Sequence, residues 1–260
     1  MLTKPIITLT TFFNFIYSAS QIQDDRIVGG VEVSPKFKYP WLVSLQVKGV
    51  HDCGGIILNR DTVLTAGHCS ELPASSYTVN VHRHNLKQSS SSEGGQSIFV
   101  SKIINHPNFD SFNATNDISI WKLAIPASVG IGSIDLDDGT YGEQTGLKVL
   151  AAGWGVTKAN GPGSPVLREV RIPIFDKKAC ASYWANNGYD INVDSQVCAG
   201  AEGGKDACNG DSGGPLFIIG ANGHPILIGT TSFGEPCAHK GIPTVWTRVS
   251  AFRSFILQNS

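Results

Sequence analysis

The run Asp206-Ala207-Cys208-Asn209-Gly210-Asp211-Ser212-Gly213-Gly214-Pro215 sets one serine among three glycines. Glycines permit the backbone angles of a tight turn and let another chain approach the main chain closely. Read alone, the run is a glycine-rich loop ahead of a strand. It becomes chemically pointed only beside two other residues. A serine hydroxyl is activated by a base within hydrogen-bond reach, and a buried carboxylate fixes that base's tautomer. The sequence offers His68 in Leu64-Thr65-Ala66-Gly67-His68-Cys69 and Asp117 in Asn116-Asp117-Ile118-Ser119-Ile120. A tight turn can also aim the N–H groups of Gly210 and Ser212 at an oxygen that gains negative charge. Singly, His68 reads as a structural histidine beside a cysteine and Asp117 as a turn cap.

Outward from this run, short β-type stretches recur between turn signals: 41–47, 77–84, 97–105, 118–123, 147–152, 167–175, 215–219, 226–232 and 244–249. Such spacing predicts a sandwich or barrel. No amphipathic helix alternates with these stretches, which excludes a parallel βαβ sheet. Only 249–259 reads as a helix. The 29 glycines and 13 prolines favour tight turns over long helices. Residues 124–139, with Pro126 and the acidic trio Asp135, Asp137 and Asp138, read as a crossover between two halves. Ser89 to Ser92 followed by Glu93-Gly94-Gly95 reads as a flexible low-complexity tip.

A chain of 260 residues suits one large domain or two compact ones. With a net charge of −1 and 16% charged residues, no global basic field is available for nucleic acid or an anionic membrane. Peptides and small polar molecules remain as partners. At the N-terminus, Lys4, an apolar stretch from Ile6 to Tyr17 and small residues at Ser18-Ala19-Ser20 read as a signal peptide over 1–20. A membrane span needs roughly 20 apolar residues, and this stretch is shorter. In an exported chain the six cysteines point to disulfides, and no close CxxC pair suggests zinc. Arithmetic alone does not choose among their pairings.

Six ordered motifs carry a resemblance. They are Arg26-Ile27-Val28-Gly29-Gly30, Thr65-Ala66-Gly67-His68-Cys69, Asn116-Asp117-Ile118, Ala152-Gly153-Trp154-Gly155, the 206–215 run, and Ser232-Phe233-Gly234. The chain resembles the chymotrypsin-type serine proteases, and within them the trypsins, including fungal ones, from Arg26 to the C-terminal helix. The resemblance implies an all-β fold of two six-stranded antiparallel β-barrels with a C-terminal helix. It places a peptidase domain at 27–260, with the N-terminal barrel over 27–130 and the C-terminal barrel and helix over 131–260. His68 is expected as general base and acid, Asp117 as its orienting carboxylate, Ser212 as nucleophile, and the Gly210 and Ser212 amides as the oxyanion hole. Ser232 would support Asp117. Ser232-Phe233-Gly234 would pair with the substrate backbone as an added strand.

The same resemblance makes Gln21 to Arg26 an activation propeptide. Cleavage after Arg26 would free the Ile27 ammonium to pair with Asp211. It implies the bridges Cys53–Cys69, Cys180–Cys198 and Cys208–Cys237. Asp206 occupies the position of the carboxylate that selects Arg or Lys in trypsins, and Ala207 in place of a frequent serine tilts the preference toward Arg. Departures cluster on the pocket walls: Thr244 and Pro236 stand where glycines are usual, and Phe233 where tryptophan is. If Thr244 points into the pocket, it narrows the pocket and screens Asp206.

The expected protein is therefore a secreted, monomeric serine endopeptidase made as a zymogen and cutting after Arg or Lys. Its partners would be protein or peptide substrates, an activating protease and protein inhibitors. The alternative is the same fold with elastase-like or chymotrypsin-like preference, and a more remote one is an inactive homologue that acts as a binding protein. No cofactor and no metal are expected. His82 and His84 lack carboxylate neighbours in sequence, and the loop after His84, where some trypsins hold calcium, offers only Glu93. No HExxH, P-loop or nucleotide fingerprint competes. Asn113-Ala114-Thr115 is a glycosylation sequon close before Asp117.

Overall fold

Strand-forming stretches with alternating or continuous apolar character dominate the computed structural model, which describes residues 28–157, 161–234 and 236–260. After a two-residue strand β1 (Val31–Glu32), six strands close a barrel: β2 (Leu42–Val47), β3 (Val50–Asn59), β4 (Thr62–Thr65), β5 (Tyr77–Val81), β6 (Gln96–Asn105) and β7 (Ser119–Leu123). Their order is β2-β3-β4-β7-β6-β5, and β2 also pairs with β5. Leu42, Leu45, Ile56, Leu64, Val79 and Ile120 are buried in its core. Each such side chain contributes about 1.5–3 kcal/mol by leaving water.

The second sheet holds β8 (Asp135–Leu136), β9 (Lys148–Gly153), β10 (Arg168–Pro173), β11 (Gln196–Gly200), β12 (Pro215–Ile219), β13 (Pro225–Phe233) and β14 (Pro243–Arg248), joined by β1. The order is β1-β10-β9-β12-β13-β14-β11, with β8 parallel to β13. A bridge between Ile174 and Ala199, and the Phe175 N–H donated to Cys198 O at 2.7 Å, bring β11 back to the end of β10. Six longer strands thus curl into the second barrel, and the two short strands are additions to the expected six. Val149, Ile172, Val197, Leu216, Ile228 and Trp246 fill this half.

Several elements depart from the sequence reading. Strands β3 and β11 were not among the stretches read as strands: Gly54 and Gly55 dilute β3. A helix α1 (Lys177–Asn186) also forms, capped by Asp176, whose side chain accepts the Ala179 N–H at 2.8 Å. Only Cys180 and Trp184 of α1 are buried, so its amphipathic signal is faint. The expected C-terminal helix is present in two parts, a 3₁₀ turn Val249–Phe252 and α2 (Arg253–Asn259).

The 89–95 segment, read as a flexible tip, is anchored instead. Glu93 accepts from Arg83 Nε at 2.8 Å, and from the His84 and Asn85 amides at 3.2 and 2.8 Å. Arg83 also donates to Ser90 Oγ and to the carbonyls of Asn85 and Gln88. The signal peptide, the propeptide, Arg26 and Ile27 lie outside the described residues. No helix among the described residues is long and apolar enough to cross a membrane.

Candidate active site

The loops that face each other across the two barrels carry the residues singled out in sequence. His68 sits on a 3₁₀ turn, Gly67–Ser70, that follows β4 and is tied to β3 by the Cys53–Cys69 disulfide. Asp117 immediately precedes Ile118 and β7 and is fully buried. A buried carboxylate needs donors on its lone pairs, and Asp117 has three. His68 Nδ1 lies at 2.8 Å from Oδ2, the His68 amide donates to Oδ1 at 2.9 Å, and Ser232 Oγ donates to Oδ2 at 2.6 Å. Thr247 Oγ1 adds a bond to the Asp117 carbonyl at 2.8 Å.

A register shift between Thr231 and Phe233 in the β13–β14 pairing surrounds Ser232. Because the carboxylate only accepts, Nδ1 carries the proton and Nε2 is left as the free base. Burial lowers the imidazole pKa, but the hydrogen bond and charge of Asp117, with Glu71 and Asp52, outweigh it and leave the pKa raised.

Ser212 lies in the turn that enters β12. Gly213, at φ +71°, would place any Cβ at 2.1 Å from Thr65 Oγ1 and 3.0 Å from the Ala66 amide. That close approach sets the serine turn against the segment leading into His68. The Gly54 amide of β3 donates to Ser212 O at 2.8 Å and fastens the turn to the first barrel. Along the turn, the Asp211, Gly213 and Gly214 amides donate to Cys208, Thr231 and Asp211 carbonyls. Among the described residues the Gly210 and Ser212 amides have no acceptor. They are the two donors expected to hold an oxyanion.

Asp211 points away from the turn into a space made by Gly153 and Gly155, where an added Cβ would fall within 2.2 and 2.4 Å of its carboxylate oxygens. The Gly155 and Cys208 amides donate to it at 2.8 and 3.0 Å, and among the described residues it has no cationic partner. Burial pushes its pKa up to about 6.

Beside Ser212 opens a cavity of about 300 Å³ lined by Trp184, Tyr189, Ser212, Phe233, Gly234 and Thr244, among others. Asp206 does not form its wall. It is 1% exposed, and its oxygens accept from the Ala207 amide at 2.9 Å, the Ala238 amide at 3.2 Å and Thr244 Oγ1 at 2.9 Å. Thr244 therefore stands between the cavity and the carboxylate, and an added Cβ on Gly234 would lie 2.7 Å from its hydroxyl. Burial pushes the Asp206 pKa up to about 7, against the pull of those hydrogen bonds. The third disulfide, Cys208–Cys237, ties the serine run to the opposite wall, and Cys180–Cys198 joins α1 to β11. Pro236 is exposed and does not line the cavity.

Sequence reading missed Trp184 and Tyr189. Their rings pack against Phe233, Trp184 edge-on and Tyr189 tilted, at centroid distances of 5.0 and 5.5 Å. With α1 unread, nothing linked them to the site except Cys180 four residues before Trp184.

Among the described residues one cluster of potential metal donors lies at the site. Cys53, His68 and Cys69 approach within 4.8 Å, but both sulfurs are joined in the disulfide and offer no thiolate. His82 stacks on Phe37 while His84 bonds Glu32 at 2.8 Å, so the two histidines do not converge. Asn113 of the sequon lies on a hairpin closed by Asp110 and Thr115, with its amide donated to Asp110 at 2.9 Å.

Two β-barrels with an imidazole–carboxylate pair and a serine turn at their seam are the arrangement of the serine protease class. The chain belongs to the trypsin family, whose model, Trypsin, matches residues 27–256. It is 35% identical over 251 residues to "Proclotting enzyme" of Tachypleus tridentatus, covering 90% of this chain and 66% of that protein. It is 34% identical over 236 residues to "Serine protease 56" of Mus musculus, covering 89% and 38%. With "Trypsin" of Simulium vittatum it shares 36% identity over 229 residues, covering 85% and 87%. The chain thus spans less than two thirds of the first two relatives and most of the third.

Proposed function

We propose that this chain is a secreted serine endopeptidase, made as a zymogen, that cuts peptide bonds after Arg or Lys through an acyl-enzyme. The observation that carries this reading is the buried Asp117 carboxylate holding His68 Nδ1, with Ser212 and two amides that have no acceptor among the described residues on the neighbouring turn. On this reading substrate draws the Ser212 hydroxyl and His68 Nε2 together, since catalytic hydrogen bonds tighten in the substrate complex. Ser212 Oγ attacks the scissile carbonyl carbon while its proton passes to His68 Nε2. The carbonyl electron pair moves onto oxygen and is held by the Gly210 and Ser212 N–H groups. Collapse breaks the C–N bond, and the leaving amine takes the proton from His68. Water then repeats the sequence on the ester.

Thr244 connects Asp206 to the substrate. Its hydroxyl hydrogen is directed to Asp206 Oδ2, which leaves the oxygen lone pairs to accept from a guanidinium or ammonium in the cavity. The buried charge behind the hydroxyl strengthens that acceptor.

Residues 1–20 act as signal peptide, 21–26 as propeptide, and 27–130 and 131–260 as the two barrel units of a monomer. The Asp206 amide donates to Val28 O at 3.1 Å, so the chain just after Arg26 docks on the specificity loop. Freed by cleavage, the Ile27 ammonium supplies the cation that buried Asp211 lacks among the described residues, and it orders the oxyanion turn. The pairing fades at alkaline pH as the amine deprotonates, from a reference pKa of about 7.7–8.0 that the pair itself raises.

Two comparisons test this reading. A peptide panel varying only the residue before the cut should be cleaved fastest after Arg or Lys, and Ala or Val outpacing both would defeat the specificity claim. The Arg26→Gln chain should remain nearly inactive, and full turnover with its propeptide retained would defeat the zymogen claim.

A further inference from the structure

Asparagine is followed by glycine at 160–161, 187–188, 209–210 and 222–223. In such a pair the glycine nitrogen, unshielded by a Cβ, can attack the asparagine side-chain carbonyl. Hydrogen bonds on that nitrogen and on the side chain oppose the attack. Asn160 lies outside the described residues, and the other three asparagines are all exposed.

Their hydrogen bonds differ. The Gly188 amide donates to Ala185 O at 3.1 Å, and Asn187 Nδ2 donates to Tyr183 O at 2.8 Å. The Gly223 amide donates to Gly220 O at 2.9 Å, and Asn222 Oδ1 accepts from the His224 amide at 3.0 Å. At 209–210 neither group is held. Among the described residues the Gly210 amide has no acceptor and the Asn209 side chain has no hydrogen-bond partner. In the same peptide unit Asn209 O accepts from the Val156 amide at 2.7 Å, which polarises the peptide and makes the Gly210 N–H more acidic. The turn itself demands glycine here, since φ is +89° and an added Cβ would lie 3.1 Å from Gly155 Cα.

We propose that Asn209-Gly210 is a self-inactivation site, at which the asparagine side chain closes on the Gly210 nitrogen and removes the N–H that holds the oxyanion. The inference rests on the hydrolytic reading above. Hydroxide takes the Gly210 amide proton, and the nitrogen electron pair forms a bond to Asn209 Cγ. The Cγ–Nδ2 bond breaks, Nδ2 takes a proton from water, and ammonia leaves a five-membered succinimide. Water then opens the ring at one of its two carbonyls. One product is an aspartyl residue, whose charge faces the developing oxyanion. The other is an isoaspartyl linkage, whose extra backbone methylene displaces the Gly210 amide. An oxyanion donor must be left without an acceptor until substrate arrives, so here catalytic readiness and chemical fragility have one cause.

The test uses the activated full chain, aged at mildly alkaline pH in heavy-oxygen water and separated by ion exchange, which resolves the new negative charge from the parent. Peptide mapping of the intact, charge-shifted chain should find label at 209 well before 187 or 222, at a rate that rises with pH. That species should show a kcat roughly 10–100-fold below the parent, and the succinimide itself the roughly 10²–10³-fold loss that follows removal of a whole oxyanion donor. Its affinity for a peptidyl aldehyde, which forms a tetrahedral adduct on the serine, should fall in parallel. In Asn209→Gln ring closure needs a less favourable six-membered ring, so intact chain should keep its own starting activity over the same period.

Label appearing at 187 or 222 first, or none at 209, would overturn the proposal. So would a chain modified at 209 that retains full kcat, or intact Asn209→Gln that decays as fast as wild type. A fresh wild type that hydrolyses no peptide would instead sink the hydrolytic reading, while the mapping would still report the chemistry at 209.

Discussion

Replacing Thr244 by glycine removes the only side chain among the described residues that donates to Asp206, and it opens the wall between that carboxylate and the cavity. On the proposed specificity, a basic side chain in the native pocket would meet the threonine hydroxyl, a neutral acceptor, and such a bond contributes about 1 kcal/mol. With Thr244 gone the guanidinium reaches Asp206 directly, and a hydrogen bond to a charged group contributes about 1.5–3 kcal/mol. The difference of about 0.5–2 kcal/mol corresponds to a rise of roughly 2–30-fold in kcat/KM for an Arg substrate relative to an Ala substrate. Taking the ratio cancels any common change in the triad. The partner variant, Thr244→Val, keeps the volume and shows a methyl group to the cavity, so the same ratio should fall by a similar factor. An Arg-to-Ala ratio that stays constant or drops in Thr244→Gly would refute the idea that Asp206 is screened charge waiting behind Thr244.

Acidification gives a second handle on Asp206. With its pKa pushed up to about 7, the carboxylate is charged above that value and neutral below it, so the Arg-to-Ala ratio of kcat/KM should decline as pH falls from 8 toward 5.5. A flat ratio would mean the charge plays no part. In the proposed mechanism His68 must be neutral to act, and Asp117 is the main group that holds its pKa up. Asp117→Asn should therefore move the acid limb of kcat/KM to lower pH while lowering turnover by about 10⁴-fold, and a pH profile that does not move would contradict the assigned pair.

Away from the site, Arg83→Ala would leave Glu93 buried without its cation, since their side chains are 3% and 5% exposed. Breaking such a pair costs about 3–5 kcal/mol, readable in urea unfolding, and a loss too small to measure would argue against the pair as an anchor. Burial raises the Glu93 pKa, but Arg83 and the Asn85 and His84 amides override it and hold the carboxyl below its ordinary value. The pair's stabilisation is thus present at neutral pH and disappears as acid protonates Glu93 below the usual carboxylate range.

The residues that meet at the candidate site, His68, Asp117 and the 206–215 run, could be singled out in sequence because each sits in a short local pattern. Gly213 has to be glycine because Thr65 crowds it, and Gly153 and Gly155 make room for Asp211. Those steric demands are what the glycine motifs record. The cavity walls were harder to read. Trp184 and Tyr189 reach the cavity only because α1 docks through Cys180 and Trp184, and a helix with two buried side chains leaves almost no periodic signal.

Strand β3 was hidden by its own glycines, although their small size lets Ser212 O reach the Gly54 amide. The serine-rich segment at 89–92 looked featureless because its anchor, Arg83, lies outside it in sequence. That Thr244 faces the pocket could be posed as a condition in sequence, but its bond to Asp206 required coordinates.

The central claim is that Ser212 is a nucleophile activated by His68. The most direct measurement is covalent labelling of the activated chain with a fluorophosphonate, followed by peptide mapping. The account predicts a single adduct on Ser212, with none formed in Ser212→Ala and labelling strongly slowed in His68→Ala. An unlabelled activated protein, or an adduct that persists in Ser212→Ala, would contradict it.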